Sequence, residues 1–225
     1  MKFQSLLLIP TLALAATVQK RVDTWGGSVS LGPTKSTITH AVTTLIPGVA
    51  PSPQNGKLFL WPGMSNGTGD LVQTTIESWP DNSWCGAKKG EWCVRASVFG
   101  SFGQLDGSAS PVKGDDQIRI EYTLQADKDT WVQHVTNAKT GKVLSTFEHK
   151  DGPFMRGYGT GTECNGGCTG PIETQKYLNT QVTLDGPDPS FGNTIATGGT
   201  GKFSGLTSSQ GGKVWTIASI DIPPK

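Results

Sequence analysis

Through most of the chain, apolar residues fall at every second position in short runs, and clusters of Gly, Pro, Asn and Asp separate the runs. Successive side chains on a strand point to opposite faces, so this period predicts antiparallel strands joined by tight turns. The clearest runs are 24–31, 36–45, 57–62, 71–79, 92–99, 116–125, 131–137, 143–148, 177–184 and 213–222. In the sixth of these, Ile118, Ile120, Tyr122 and Leu124 share one face and Arg119, Glu121 and Thr123 the other. The linker 137–142 ends near Gly141, which accepts the positive φ of a tight hairpin. Residues 184–212, rich in Gly, Pro, Ser and Thr, predict mostly loop with room for one short strand or helical turn. The fold class is all-β, an antiparallel sandwich or barrel.

The first residues depart from this pattern. Lys2 precedes an apolar stretch, 6–14, and Ala13-Leu14-Ala15 offers a small-residue cleavage site, so 1–15 reads as a signal peptide. The stretch is shorter than the ~20 residues of a spanning helix and Pro10 interrupts it, which argues against a membrane anchor. Lys20-Arg21 is either a dibasic processing site closing a short propeptide, 16–22, or two solvated charges. The expected domain is 23–225, in a protein secreted or held in the secretory pathway.

Composition narrows the function. Charged residues make up 16% of the chain and the net charge is +1, with no basic stripe for a nucleic-acid backbone. Four cysteines behind an export signal predict two disulfides. Three pairings exist; the spacings of Cys85 to Cys93 and of Cys164 to Cys168 favour two local loops, each closed over Gly-containing turns. Zinc at Cys164 and Cys168 is disfavoured because no His lies near. Asn66-Gly67-Thr68 is a glycosylation sequon and places that turn at the surface.

Candidate chemistry concentrates around 61–104, which holds Trp61, Trp79, Trp84 and Trp92 of the seven tryptophans, with Phe102 and Gln104. Gln73, Thr75 and Glu77 share one face of their strand, so that face is polar. It is either a wet outer surface or the floor of a groove walled by aromatic rings. A second stretch sets Arg156, Tyr158 and Glu163 among glycines that leave the backbone open to a ligand, or is a Gly-rich turn with solvated charges. No His pair at ligand spacing and no phosphate loop is present, so no metal or cofactor is expected.

Trp61 followed by Leu71-Val72-Gln73-Thr74-Thr75-Ile76-Glu77 resembles the catalytic-Gln region of secreted fungal glutamic peptidases. Gly114-Asp115-Asp116-Gln117-Ile118 resembles a further strand of that family, and Asn137 to Gly141 its hairpin. The resemblance implies a concanavalin-like jelly roll of two curved sheets. It also implies that Gln73 steadies an oxyanion while a facing Glu activates water. The family's Glu-Trp-Ile-Val-Glu strand is replaced here by a segment whose only carboxylate is Glu163, beside Cys-Asn-Gly-Gly-Cys.

The chain as a whole, including Leu60-Trp61-Pro62-Gly63-Met64, Ser83-Trp84-Cys85-Gly86 and Phe99 to Gln104, is similar to secreted fungal proteins that include the hetero-Diels-Alderases of tropolone-sesquiterpenoid biosynthesis. That likeness implies a cofactor-free pocket for a small apolar natural product. Trp61, Trp79, Phe102, Gln104 and Tyr158 would contact the substrate, and Gln73, Glu77, Arg156 and Glu163 would supply hydrogen bonds or acid-base help. Acid proteolysis and a non-enzymatic lectin-like or cell-wall role are the other expectations.

Overall fold

The structure, a computed structural model, describes residues 23–224; the expected signal peptide, the propeptide and Lys20-Arg21 lie outside the described residues. Its strands are β1 (Asp23–Trp25), β2 (Ser28–Leu31), β3 (Ile38–Ile46), β4 (Lys57–Ser65), β5 (Leu71–Ser78), β6 (Trp92–Gly100), β7 (Gly103–Asp106), β8 (Ser110–Val112), β9 (Ile118–Leu124), β10 (Thr130–Asn137), β11 (Val143–Lys150), β12 (Gly157–Asn165), β13 (Gln175–Leu184), β14 (Ala196–Gly198), β15 (Lys202–Ser209) and β16 (Val214–Ile222). One sheet runs β14-β2-β12-β4-β5-β6-β7, with β1 beside β12 and β8 beside β6; the other runs β11-β10-β9-β3-β13-β16-β15. The two antiparallel sheets form a sandwich, as the alternation predicts.

The core lies between them. The first sheet contributes Leu58, Leu60, Val72, Ile76, Val94 and Val98, all fully buried. The second contributes Ile118, Ile120, Tyr122, Trp131 and Tyr177, with Leu124 packed at the margin, so the expected face of β9 is the buried one. Two polar pairs cross the core: the Tyr122 hydroxyl donates to the Pro62 carbonyl at 2.8 Å, and Gln133 Nε2 donates to the Ser97 carbonyl at 2.7 Å. Pairing matters because a buried polar group left without a partner costs about 1–3 kcal/mol.

The β10–β11 hairpin turns at Gly141 with φ of 72°, as its sequence predicts. Two disulfides, Cys85–Cys93 and Cys164–Cys168, close the two local loops that the spacing favoured. Among the described residues no helix is long and apolar enough to cross a membrane.

Two readings of the sequence need correction. Residues 184–212 are not mostly loop: after a single helical turn, Phe191–Thr194, they form β14 and the long edge strand β15. Strand β15 is exposed along most of its length and is held by its ladder to β16, so it carries little of the apolar alternation by which strands are read. The Gly-rich stretch around Arg156 and Glu163 is not a turn. It is β12, an interior strand between β2 and β4.

Candidate functional site

Strand β5 sits between β4 and β6 and is buried on both sides. Val72, Thr74 and Ile76 point into the core. Gln73, Thr75 and Glu77 point away from it, yet they are only 7%, 2% and 0% exposed. A flat wet sheet would leave such residues open to solvent. Here side chains standing on the flanking strands cover them, so the outer face of this sheet is a hollow.

Register arranges the hollow in rows. Gly159, Gly63 and Gln73 lie side by side across β12, β4 and β5; Gly161 and Trp61 pair in the next row; Glu163, Phe59 and Glu77 form the row beyond. Because each inward position of β12 from Tyr158 to Cys164 alternates with an outward glycine as far as Gly161, this strand presents bare backbone beside Gln73. The glycines do different work. A Cβ on Gly161 would lie 2.6 Å from the Trp61 ring, and one on Gly63 would lie 2.9 Å from Cβ of Gln73, so both allow close approach. A Cβ on Gly159 would meet nothing nearer than 3.6 Å.

Over this bare backbone runs an open trough of about 200 Å³ with mainly apolar lining, floored by Gly63, Gly157 and Gly159 and walled by Trp61 and Leu71. Next to it is a recess of about 50 Å³ lined by Phe59, Trp61, Gln73, Thr75, Gln104 and Glu163 together with Asn165. Trp61 lies on both. Its indole packs edge to face on Trp25, with ring centres 6.4 Å apart, and its Nε1 is buried with no hydrogen-bond partner among the described residues. Gln73 likewise carries no side-chain hydrogen bond among the described residues. A buried amide and an indole N–H that the protein does not use are the polar groups most available to a ligand.

Glu77 is placed differently. Its carboxylate accepts from Thr75 Oγ1 at 2.6 Å, Trp79 Nε1 at 2.9 Å, and Arg95 Nε and Nη2 at 2.7 and 3.1 Å. Arg95 continues to Asp106 at 2.7 Å, whose other oxygen accepts from Gln104 Nε2 at 3.0 Å. Both oxygens of Glu77 are thus committed to holding the sheet's outer face together. Trp79 stands beside this network with Lys57 Nζ over its ring at 3.7 Å, away from Gln73.

Of the remaining candidates, the structure brings Gln73, Trp61, Gln104 and Glu163 together and leaves three elsewhere. The Arg156 guanidinium donates to the Thr34 carbonyl at 2.8 and 2.6 Å. Tyr158 borders the trough by its backbone position, but its ring points into the core, where burial raises the phenol's pKa. Phe102 is 46% exposed on the β6–β7 turn, against His149. Asn66 lies in the β4–β5 surface turn, its Nδ2 donating to Asp70 at 2.7 Å.

Sequence reading missed Arg95, which shares its strand face with Ser97 and pairs with Thr75 across the ladder. It read the glycines around Tyr158 as leaving the backbone open to a ligand but did not place them on a strand, β12. The signal for that strand was present: Tyr158, Thr160, Thr162 and Cys164 fall at every second position, the period of a strand.

Together, a two-sheet jelly-roll sandwich and an outer hollow holding Gln73 and Trp61 define the class of molecule. No family model and no curated protein matches the sequence. Among solved structures, the chain is similar to scytalido-glutamic peptidase bound to a peptide-based transition-state analogue, with a TM-score of 0.54, 15% identity, and 88% of this chain and 99% of that one covered. It is also similar to SCP-B, a member of the eqolisin family of peptidases, in a complex with the tripeptide Ala-Ile-His, with a TM-score of 0.50, 14% identity and coverage of 88% and 99%. At such identities the likeness shows the jelly-roll fold. A further neighbour is the galectin LEC-6 of Caenorhabditis elegans, at 11% identity and a TM-score of 0.35 over 66% of this chain.

Proposed function

We propose that the chain is a cofactor-free pocket enzyme that binds a small, mainly apolar substrate in the hollow and orients it through Gln73 and Trp61. The observation that carries this is the buried Trp61 Nε1, without a partner among the described residues, set beside Gln73 and an apolar trough over bare glycine backbone. The row of Gln73 runs through Gly159, Gly63 and, on β6, Ser97 to Asp106 on β7, whose carboxylate oxygens are held by Arg95 and Gln104. Chemistry that needs orientation and one or two donors suits this site better than chemistry that needs a general base at the amide.

A hetero-Diels-Alder addition is of that kind. A tropolone quinone methide supplies C=C–C=O, a sesquiterpene alkene adds across it, and one C–C and one C–O bond form with no atom, proton or electron pair lost. Donors at the carbonyl oxygen lower its barrier, and holding the two reactants in near-attack geometry removes the entropy of encounter. The trough and recess together fall below the ~300 Å³ at which sites for drug-sized ligands begin, so they seat one ring-sized reactant while the alkene lies across the open side. Where the quinone methide arises by loss of water, Glu163, which lines the recess, would be the carboxylate to assist from its far side.

The test is incubation with a tropolone quinone-methide precursor and a humulene-type alkene. We expect faster adduct formation and a single stereoisomer, with the rate falling ~100–1,000-fold in Gln73→Leu, the order of one oxyanion-type donor. An adduct yield and isomer ratio equal to the protein-free blank would defeat the reading.

A second reading, acid proteolysis by Gln73 and Glu163, is favoured by one observation: both side chains line the same recess. It requires cleavage of a denatured protein at low pH that Glu163→Gln abolishes. Against it, the register sets the two residues four positions and two strands apart, a Cα separation of ~16 Å on ordinary strand spacings, with Trp61 between them.

A further inference from the structure

The hollow is not the only place where the fold leaves an amide unused. Gln54, in the loop before β4, is 6% exposed, and neither its Oε1 nor its Nε2 has a hydrogen-bond partner among the described residues. Buried amides in folded proteins are almost always bonded, so this one is available to a partner beyond the described residues. Gln54 lies between two cavities, one of about 350 Å³ whose lining includes Asp81, Lys88, Lys89 and Glu91, and one of about 260 Å³ at the end of the sandwich, which is the more apolar of the two. The neighbouring Gln175 is spent within the protein: its Nε2 donates to Thr162 at 3.0 Å, and its Oε1 accepts from the Tyr177 hydroxyl at 3.5 Å.

We infer that this end cavity is a second small-molecule site, selective for an uncharged ligand that carries a cis-amide edge, as a lactam does. Three features lead there. A carboxamide presents a donor and an acceptor side by side, and the matching edge is a cis N–H and C=O, which closes two hydrogen bonds at once. No Asp, Glu, Lys, Arg or His is among the described lining residues, which offer an entering ion no counter-charge for its lost hydration. Leu58, Ile172, Ile222 and the Cys164–Cys168 disulfide supply apolar walls for the rest of the ring.

Trp25 stands at the mouth, 59% exposed, and it is the same indole that packs against Trp61. The cavity and the hollow therefore share a wall but no polar group. The inference does not rest on the reaction proposed for the hollow.

The test uses purified protein and two probes, 2-piperidone and N-methyl-2-piperidone, with binding followed by ligand-observed NMR. The methyl group removes the N–H and blocks the paired edge while keeping the ring. We expect 2-piperidone to bind at least tenfold more tightly, Gln54→Leu to remove that preference while leaving the melting temperature unchanged or higher, and Gln73→Leu to retain it. Equal binding of the two probes by the wild-type protein overturns the site without recourse to any variant. So does an undiminished preference in Gln54→Leu. A preference lost in Gln73→Leu instead would place lactam binding in the hollow and overturn the assignment to Gln54.

Discussion

Replacing Arg95 by Met separates a structural role for Glu77 from a chemical one. The Glu77 carboxylate is fully buried and accepts hydrogen bonds from Thr75, Trp79 and twice from Arg95. Met keeps the length of the arginine stem but removes the charge and two of those donors. Breaking a buried ion pair from one side costs about 3–5 kcal/mol, because the remaining charge keeps its desolvation penalty. Arg95 is 19% exposed, and the Thr75 and Trp79 donors survive, so the low end applies, about 3 kcal/mol. For a domain of this size that corresponds to a fall of about 6–12 °C in melting temperature.

Urea unfolding followed by tryptophan fluorescence reads the loss as a lower midpoint at unchanged slope. Glu77→Gln alone leaves Arg95 its pair with Asp106 and costs less. In the double variant Glu77→Gln/Arg95→Met the buried charge is gone, so the two changes together cost less than their sum, a coupling of about 1–3 kcal/mol. An Arg95→Met protein within about 1 kcal/mol of wild type, with additive double-variant costs, would refute the reasoning. Turnover by folded Glu77→Gln should equal wild type, whereas a loss beyond the unfolded fraction would make Glu77 part of the chemistry.

The other expectations concern acid and the loops. Glu121, 25% exposed, is held at about 2 against an ordinary 4.5, first by the Arg119 guanidinium and then by His40. Its folded pKa is depressed, so its contribution is complete above about 4.5 and is lost as pH falls through about 2; allowing for solvent screening it is about 1–2 kcal/mol. Arg119→Gln should flatten that part of the acid limb in urea midpoints measured against pH. Asp188 accepts from the Thr34 hydroxyl, the Lys35 N–H, and the Ser190 hydroxyl and N–H, clamping two loops together. Asp188→Ala should cost about 2–4 kcal/mol in the same assay, as hydrogen bonds to a charged group of this kind imply.

Sequence showed the sandwich well where one strand face is apolar and the other polar, as in β9, because burial writes itself into the alternation. It failed at β15, an edge strand whose partner on one side is β16 and whose side chains stay in water. It failed at β12 for the opposite reason: the strand is interior, and its outward positions are glycines, which read as turn. For the candidate site, the shared direction of Gln73 and Glu77 followed from period alone. Their different fates did not, because Arg95 reaches Glu77 from another strand at a sequence distance no local pattern reveals.

The glycines of β12 also give the sharpest test that the hollow is a binding site and not a by-product of folding. Glycine inside a strand costs stability, since it loses more chain entropy than other residues and packs no side chain. Gly161 has a structural reason to be there, because Trp61 lies on it. Gly159 does not: its φ is not in the left-handed region, a Cβ would meet ordinary contacts at 3.6 Å, and the space above it is the trough. Gly159→Val should therefore leave the fold intact or raise the urea midpoint slightly, since a β-branched residue favours strand backbone. The same side chain would stand in the trough beside Gln73 and exclude any ring seated there, lowering turnover or substrate affinity at least tenfold. A variant that is both stable and fully active would show that substrate never occupies the trough. One that unfolds would show that Gly159 answers to packing after all, and both the small-molecule and the peptide readings of the hollow would lose the glycine row as support.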